Sequence, residues 1–341
     1  MYSFKSDYSE GAHPRILKAL METNFEQADG YGEDPYTWEA IQLLKQRIAC
    51  SDADIHFISG GTQTNLIAMA AFLRPHEAVI APFSGHVAVH EAGAIEATGH
   101  KVITTEGKKG KLRPADVEQV LHKHNDEHMV KPRLVYISNS TEIGTIYNRA
   151  ELTALSQYCR DRDLLLFIDG ARLGAALTAA QNDLSLEDIA RLTDAFYIGG
   201  TKNGALLGEA LIIRTGSLQE DFRFHLKQRG ALLAKGRLLG IQFRELFSDD
   251  LFFELARHAN RLAQKIQLAL GEAGVSFLVP SPSNQIFPIL PNDIIKELLQ
   301  RYSFHIWDQV SAERSVIRLI TSWATKEEAV ERFIFDLKRL L

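Results

Sequence analysis

Cysteine is scarce in this chain. Only Cys50 and Cys159 occur in 341 residues, and neither belongs to a CxxC pair. Two thiols cannot staple a chain of this length, and motifs built on paired cysteines are excluded; a reducing compartment is the expected setting. No stretch approaches the ~18 uninterrupted apolar residues that a membrane-spanning helix needs. The amino terminus, MYSFKSDYSEGAHP, carries Lys5 and Asp7 and has no apolar centre, so it does not read as a signal peptide. A soluble, cytoplasmic protein is expected. Positive charge is not in excess either: 38 Lys and Arg stand against 43 Asp and Glu, a net charge of −5. Nucleic acid requires a clustered basic face, so neither nucleic acid nor membrane is an expected partner. Apolar residues, by contrast, are plentiful at 45%, and with 24% charged residues this is the composition of a globular chain with ample core. The length suggests one large domain and a smaller one.

Short apolar runs bounded by turn residues alternate with helical periodicity. Strands are expected at 54–58 (DIHFI), 79–82 (VIAP), 101–106 (KVITTE), 134–140 (LVYISNS), 164–168 (LLLFI) and 195–198 (AFYI). Helices are expected at 14–23, 36–48, 66–73, 86–99, 114–124, 149–162 and 185–191. Nearly continuous apolar strands alternating with helices imply an α/β fold with a mostly parallel sheet covered on both faces. From about 217 to 270 the pattern turns to long helix, and the remainder reads as a small α+β unit. The expected division is a large domain over 14–240, with 1–13 and 241–341 forming the small one. The densest charge run, HKHNDEH at 122–128, contains histidines but reads as a solvated helix end, and no metal is expected.

Ligands of open α/β sheets bind at the carboxyl ends of strands. Three strand ends carry polar residues here. SGGTQTN (59–65) joins a glycine turn to a helix start, which suits either a phosphate or a plain helix cap. It is neither a GxxxxGK[ST] loop nor a GxGxxG fingerprint. In FIDGAR, Asp169 is the first charged residue off a buried strand; it either holds a cationic nitrogen or pairs with a neighbour such as Arg172. In YIGGTKNG, Lys202 follows two glycines, as a solvated loop lysine or as an amine able to lose its proton and act as nucleophile or base. Together they suit one ligand, pyridoxal phosphate. Its phosphate takes a helix start, its ring nitrogen a carboxylate and its aldehyde a lysine.

The chain resembles the fold type I pyridoxal-phosphate enzymes, and within them the threonine aldolase and β-eliminating lyase family. The matching stretches include FKSDYSEGAHP, ADGYGEDPYTWEA, ISGGTQTNLIAM, SGHVAVHEAGA, YISNSTEIGTIY, LFIDGARLGAAL, YIGGTKNGALLGEALI and VIRLITSWATKEEAVERF, spanning nearly the whole chain. The resemblance implies that Lys202 forms the Schiff base, Asp169 pairs with the ring nitrogen, and Gly61, Thr62 and Asn65 hold the phosphate. It implies that His86 stacks on the ring, and that Arg172 and Arg318, with Ser6, grip the substrate carboxylate. Tyr31 would be contributed by a neighbouring subunit of a homodimer or homotetramer. Glu91 could orient His86 or face solvent.

Two departures stand out. The family's aldolases carry a histidine near the substrate hydroxyl, after the strand that here continues into Asn139, Ser140, Thr141 and Glu142; either Glu142 or His86 could be the base instead. A glycine-rich run of the family is replaced by RGALLAKGR, with Lys235 or Arg237 near the expected arginine. The activity implied is retro-aldol cleavage of a β-hydroxy amino acid to glycine and an aldehyde. The alternatives are β-elimination to ammonia and a 2-oxo acid, and a noncatalytic binding protein.

Overall fold

The computed structural model describes residues 1–341. A seven-stranded sheet forms its centre. In spatial order the strands are Asp54–Ile58, Glu209–Ile213, Ala195–Gly199, Leu165–Asp169, Lys131–Ser138, Glu77–Pro82 and Val102–Thr105. All neighbouring pairs are parallel except those made by Glu209–Ile213, which runs antiparallel to both Asp54–Ile58 and Ala195–Gly199. This one strand was not read from the sequence, because EALII is a short apolar run between two glycine-containing turns and a helical stretch.

Alternation along the strands builds two cores. Val135, Ile137, Leu166 and Ile168 enter one cluster, whereas Leu134, Tyr136, Leu165 and Phe167 enter another on the opposite face. Successive side chains of a strand point to opposite faces, so a run apolar throughout must be covered twice. A third cluster unites Phe4 with Leu262, Ile266, Ile317, Leu319 and Phe333, forming the core of the small unit. The helix Leu251–Glu272 serves both: Leu251, Phe252 and Leu255 pack into the large core, and Leu262, Ile266 and Leu270 into the small one. The changeover of cores thus lies inside this helix, beyond the boundary expected at 240. Tyr2–Ser3 pairs with Tyr302–Ser303, which brings the amino terminus beside the small core.

One expected helix is broken. Over 86–99 there is a single turn, His86–Val89, and a 3₁₀ turn, Glu96–Thr98, with left-handed backbone at Ala92 and Gly93 between them. The stretch expected as continuous long-period helix from 217 also divides, into Phe222–Gln228 and Arg237–Phe247. No helix is long and apolar enough to cross a membrane.

Candidate active site

A cavity of about 300 Å³ opens where four parallel strands end and the antiparallel one begins. Ser59, Gly60, Gly61 and Thr62 line it from one side, Glu142 and Asp169 from the next strands, and Thr201, Lys202 and Glu209 from the last two. The antiparallel strand presents its first residue at this edge: Glu209 stands in register with Ile58 and Gly199, the final residues of its neighbours.

The helix Gly61–Phe72 starts at the cavity wall. Its N-cap, Gly60, has extended backbone and offers no side-chain cap, so first-turn N–H groups are left for a ligand. Glycine leaves that approach open, since a Cβ at Gly60 would meet nothing within 4 Å. Thr62 is exposed beside it.

Asp169 ends the strand Leu165–Asp169 and is only 4% exposed. Four donors hold it. Tyr136 Oη (2.6 Å) and the Asn65 amide (3.2 Å) donate to Oδ2; Tyr197 Oη (2.5 Å) and the Ala171 N–H (3.0 Å) donate to Oδ1. Burial pushes this carboxyl up, but the His86 charge and these hydrogen bonds outweigh it and hold Asp169 below the ordinary value. Burial, reinforced by Asp169, drives both tyrosines well above 10, so they stay protonated donors. Asn65 therefore sits elsewhere than the sequence suggested: its amide also donates to Glu91 Oε1 (2.8 Å), and the side chain cages the acid rather than facing the helix start.

His86 opens the broken helical stretch. Its Nδ1 donates to Glu91 Oε1 at 2.7 Å, and Glu91 is buried. The question of whether Glu91 orients His86 or faces solvent is settled for orientation, and the inward turn of Glu91 accompanies the break in the helix. Burial lowers the His86 pKa, but Glu91, Glu142 and Asp169 together raise it above 6.5.

Lys202 is half-buried and lines the cavity. Burial and then the Arg172 charge depress its amine, against the pull of Asp7, Glu142 and Asp169. An amine so placed is closer to the neutral, nucleophilic form than a solvated lysine. Arg172 does not pair with Asp169, the alternative left open by the sequence. Its Nε donates to Asp7 Oδ2 (2.7 Å) and its Nη2 to Asp7 Oδ1 (3.0 Å), leaving the Nη1 side free. Asn284 of the small unit also donates to Asp7 (2.9 Å). Arg318 stands on the strand Arg314–Ile320 with its buried Nε unpartnered and its guanidinium 4.8 Å from the centre of the Trp307 ring. Burial and Arg172 pull it below its ordinary value, as expected of a cation short of an anion.

Comparison with known proteins agrees with this arrangement. The family model described as "Beta-eliminating lyase" matches residues 3–287. The low specificity L-threonine aldolase of Pseudomonas aeruginosa is 32% identical over 99% of this chain and 97% of its own. The chain belongs to the β-eliminating lyase family. The solved structure of Leishmania major threonine aldolase is 52% identical, with a TM-score of 0.99 over 100% of this chain and 99% of that one. A Thermus thermophilus aspartate aminotransferase variant is 15% identical with a TM-score of 0.75, covering 100% of this chain and 92% of its own, a likeness of fold alone. The fold is that of the fold type I pyridoxal-phosphate enzymes.

The residues of this lyase fit that cofactor. A depressed amine, a buried acid kept ionised and an uncapped helix start line one cavity. Asn65, Arg172, Arg318, Ser6 and Tyr31 do not line it. Ser6 Oγ hydrogen-bonds Ser9 Oγ at 2.8 Å, and Tyr31 lies exposed on a loop, its N–H donating to Ala234 O and its ring facing Lys227. Lys235 is exposed, and Arg237 is engaged, donating to the carbonyls of Thr23 and Glu26 just past the helix Pro14–Glu22. Sequence reasoning passed over Asp7, Tyr136, Tyr197 and Glu209. Both tyrosines lie in runs read as pure core, and a hydroxyl among isoleucines was the available signal.

Proposed function

We propose that this lyase is a pyridoxal-phosphate-dependent aldehyde-lyase, which cleaves a threonine-like β-hydroxy amino acid to glycine and an aldehyde. The observation that carries the reading is the amine of Lys202 in one cavity with an ionised, four-fold hydrogen-bonded Asp169. Lys202 would bond the cofactor aldehyde, Asp169 its ring nitrogen, and Gly61 and Thr62 its phosphate. When bound, this cofactor supplies an electron sink for the pair released at Cα.

The protein's residues orient and exclude. Asp169, kept anionic by its cage, holds a proton on the ring nitrogen. Tyr136 and Tyr197 fill the floor behind it and keep water out. His86, fixed in orientation by Glu91, would stack on the cofactor ring. Arg172 presents its free Nη1 side to the substrate carboxylate while Asp7 fixes its other edge, and Arg318 supplies a second, unpaired guanidinium. Clamping the carboxylate decides which bond at Cα stands across the ring, a positioning effect. Ser6 and Tyr31 complete the site in this reading, Tyr31 from a neighbouring subunit of a homodimer or tetramer. The free thiols of Cys50 and Cys159 suit a cytoplasmic setting.

Product analysis tests the proposal. With threonine, glycine and acetaldehyde should appear in equal amounts, and Lys202→Ala should make neither. Ammonia and a 2-oxo acid in their place would assign β-elimination instead.

A further inference from the structure

Three carboxylates line the cavity, Asp169, Glu209 and Glu142, and two more, Asp7 and Glu91, hold Arg172 and His86; four of the five are engaged. Asp7 is held by Arg172 and Asn284, and Asp169 by its four donors. Glu91 accepts from His86 and Asn65; Glu209 accepts from Thr201 Oγ1 (2.8 Å) and the Gly200 N–H (3.2 Å). Glu142 alone, 9% exposed and lining the cavity with Lys202 and His86, has neither an ion pair nor a hydrogen bond from the protein. Its carboxylate oxygens are open to the cavity rather than sealed in protein, so a ligand there can supply the partner that the protein does not.

Glu142 is not there by slack. Gly144 N–H donates to Thr141 O (2.9 Å), closing a tight turn with Glu142 in its first central position. Thr141 and Thr145 brace the turn through their hydroxyls (2.8 Å) and through the Thr141 N–H to Thr145 O (2.8 Å). Gly144 has φ +79°, and a Cβ there would lie 2.3 Å from Ser281 Oγ, so the turn is pressed onto the small unit. The turn carries Glu142 to the cavity wall between the two strand ends. His86 also lines the cavity, but its Nδ1 is tied to Glu91. His90, on the same turn, is exposed and does not line the cavity.

The geometry points to Glu142 as the group that takes the proton of the substrate's β-hydroxyl, and so selects β-hydroxy amino acids. The inference rests on the aldol reading above. In the step, the hydroxyl proton passes to the Glu142 carboxylate and the O–H electron pair becomes the second bond of the departing aldehyde. The Cα–Cβ pair stays with Cα and is finally quenched there by one proton, which Glu142 can return, giving glycine. No oxidant or further reactant is needed.

The test compares wild type and Glu142→Gln as holoenzymes. General-base removal costs about 100- to 10,000-fold, so cleavage of threonine should fall at least 100-fold in kcat/KM. The dissociation constant of glycine, read from the cofactor's absorbance change, should stay within about threefold, since glycine has no hydroxyl. Cleavage within threefold of wild type would overturn the assignment. So would parallel loss of glycine binding, which marks a structural role. Failure of wild-type protein to release glycine and aldehyde would overturn the aldol reading itself, whatever the variant does.

Discussion

Asp7 and Arg172 form a buried, two-point ion pair whose partners come from distant parts of the chain. Removing one partner of such a pair leaves a buried charge and costs about 3–5 kcal/mol. Asp7→Asn should therefore lower the unfolding free energy by roughly that amount, measured by urea titration at pH 7, and should raise KM for the amino acid more than it lowers kcat. Burial pushes Asp7 up, but Arg172, Lys202 and the hydrogen bonds from Arg172 and Asn284 bring it below the ordinary 3.8. The folded chain thus takes up this proton less readily than the unfolded one. The contribution is complete above about pH 4 and is lost as the pH falls through the lower folded value, so the gap between Asp7→Asn and wild type should narrow in acid. His86 has the opposite sign. Its pKa is raised above 6.5, chiefly by Glu91 against the burial that lowers it, so its charged form stabilises the fold below 6.5 and that support fades as the pH climbs through the raised value. Glu91→Gln should lower the His86 titration, followed by NMR, since only Glu142 and Asp169 then oppose the burial that depresses it. Asp169 and Lys202 could be singled out in the sequence because each follows a buried strand, whereas the roles expected of His86 and Arg172 came from the family resemblance alone. Asp7 was not assigned a role, since its partner lies 165 positions away and nothing local marks the pair.

Among the elements, strands and helices that alternate with a short period were read to within a few residues, Asp54–Ile58 without error. Glu209–Ile213 was missed, and Glu209 with it, because only tertiary pairing makes a five-residue apolar run a strand and its antiparallel sense puts an initial rather than a final residue at the site. The helix expected over 86–99 failed for a local reason: Glu91 is turned inward to His86 and Asn65, and the backbone leaves the helix at Ala92 and Gly93. Close strand approach also makes Gly170 indispensable. A Cβ there would lie 1.7 Å from the Tyr197 carbonyl oxygen, and Gly199 N–H donates to Gly170 O at 2.9 Å. Gly170→Ala must push apart the strands that carry Asp169 and precede Lys202. A loss of at least about 1–3 kcal/mol is expected, with a cofactor dissociation constant raised at least tenfold, read by calorimetry and absorbance titration. Unchanged affinity would mean that the spacing of these strands is not what sets the site.

Across the whole molecule, the amino-terminal segment ties the two units together. Phe4 lies in the small core, Asp7 reaches Arg172 of the large unit and Asn284 of the small one, and His13 N–H donates to Gly204 O two residues past Lys202. One continuous helix, Leu251–Glu272, feeds both cores, so a change in periodicity along the sequence does not mark where one core gives way to the other. Tyr31 is 44% exposed and away from the Lys202 cavity of its own chain, so its proposed role requires a second copy. Mixing inactive Lys202→Ala and Tyr31→Ala proteins after subunit exchange should then restore part of the activity, and no recovery would make each subunit self-sufficient. The most direct measurement on the central claim is borohydride reduction of the cofactor-loaded protein followed by peptide mass spectrometry. The account predicts one pyridoxyl-phosphate group, on the peptide containing Lys202. Attachment at any other lysine, or none at all, would contradict it.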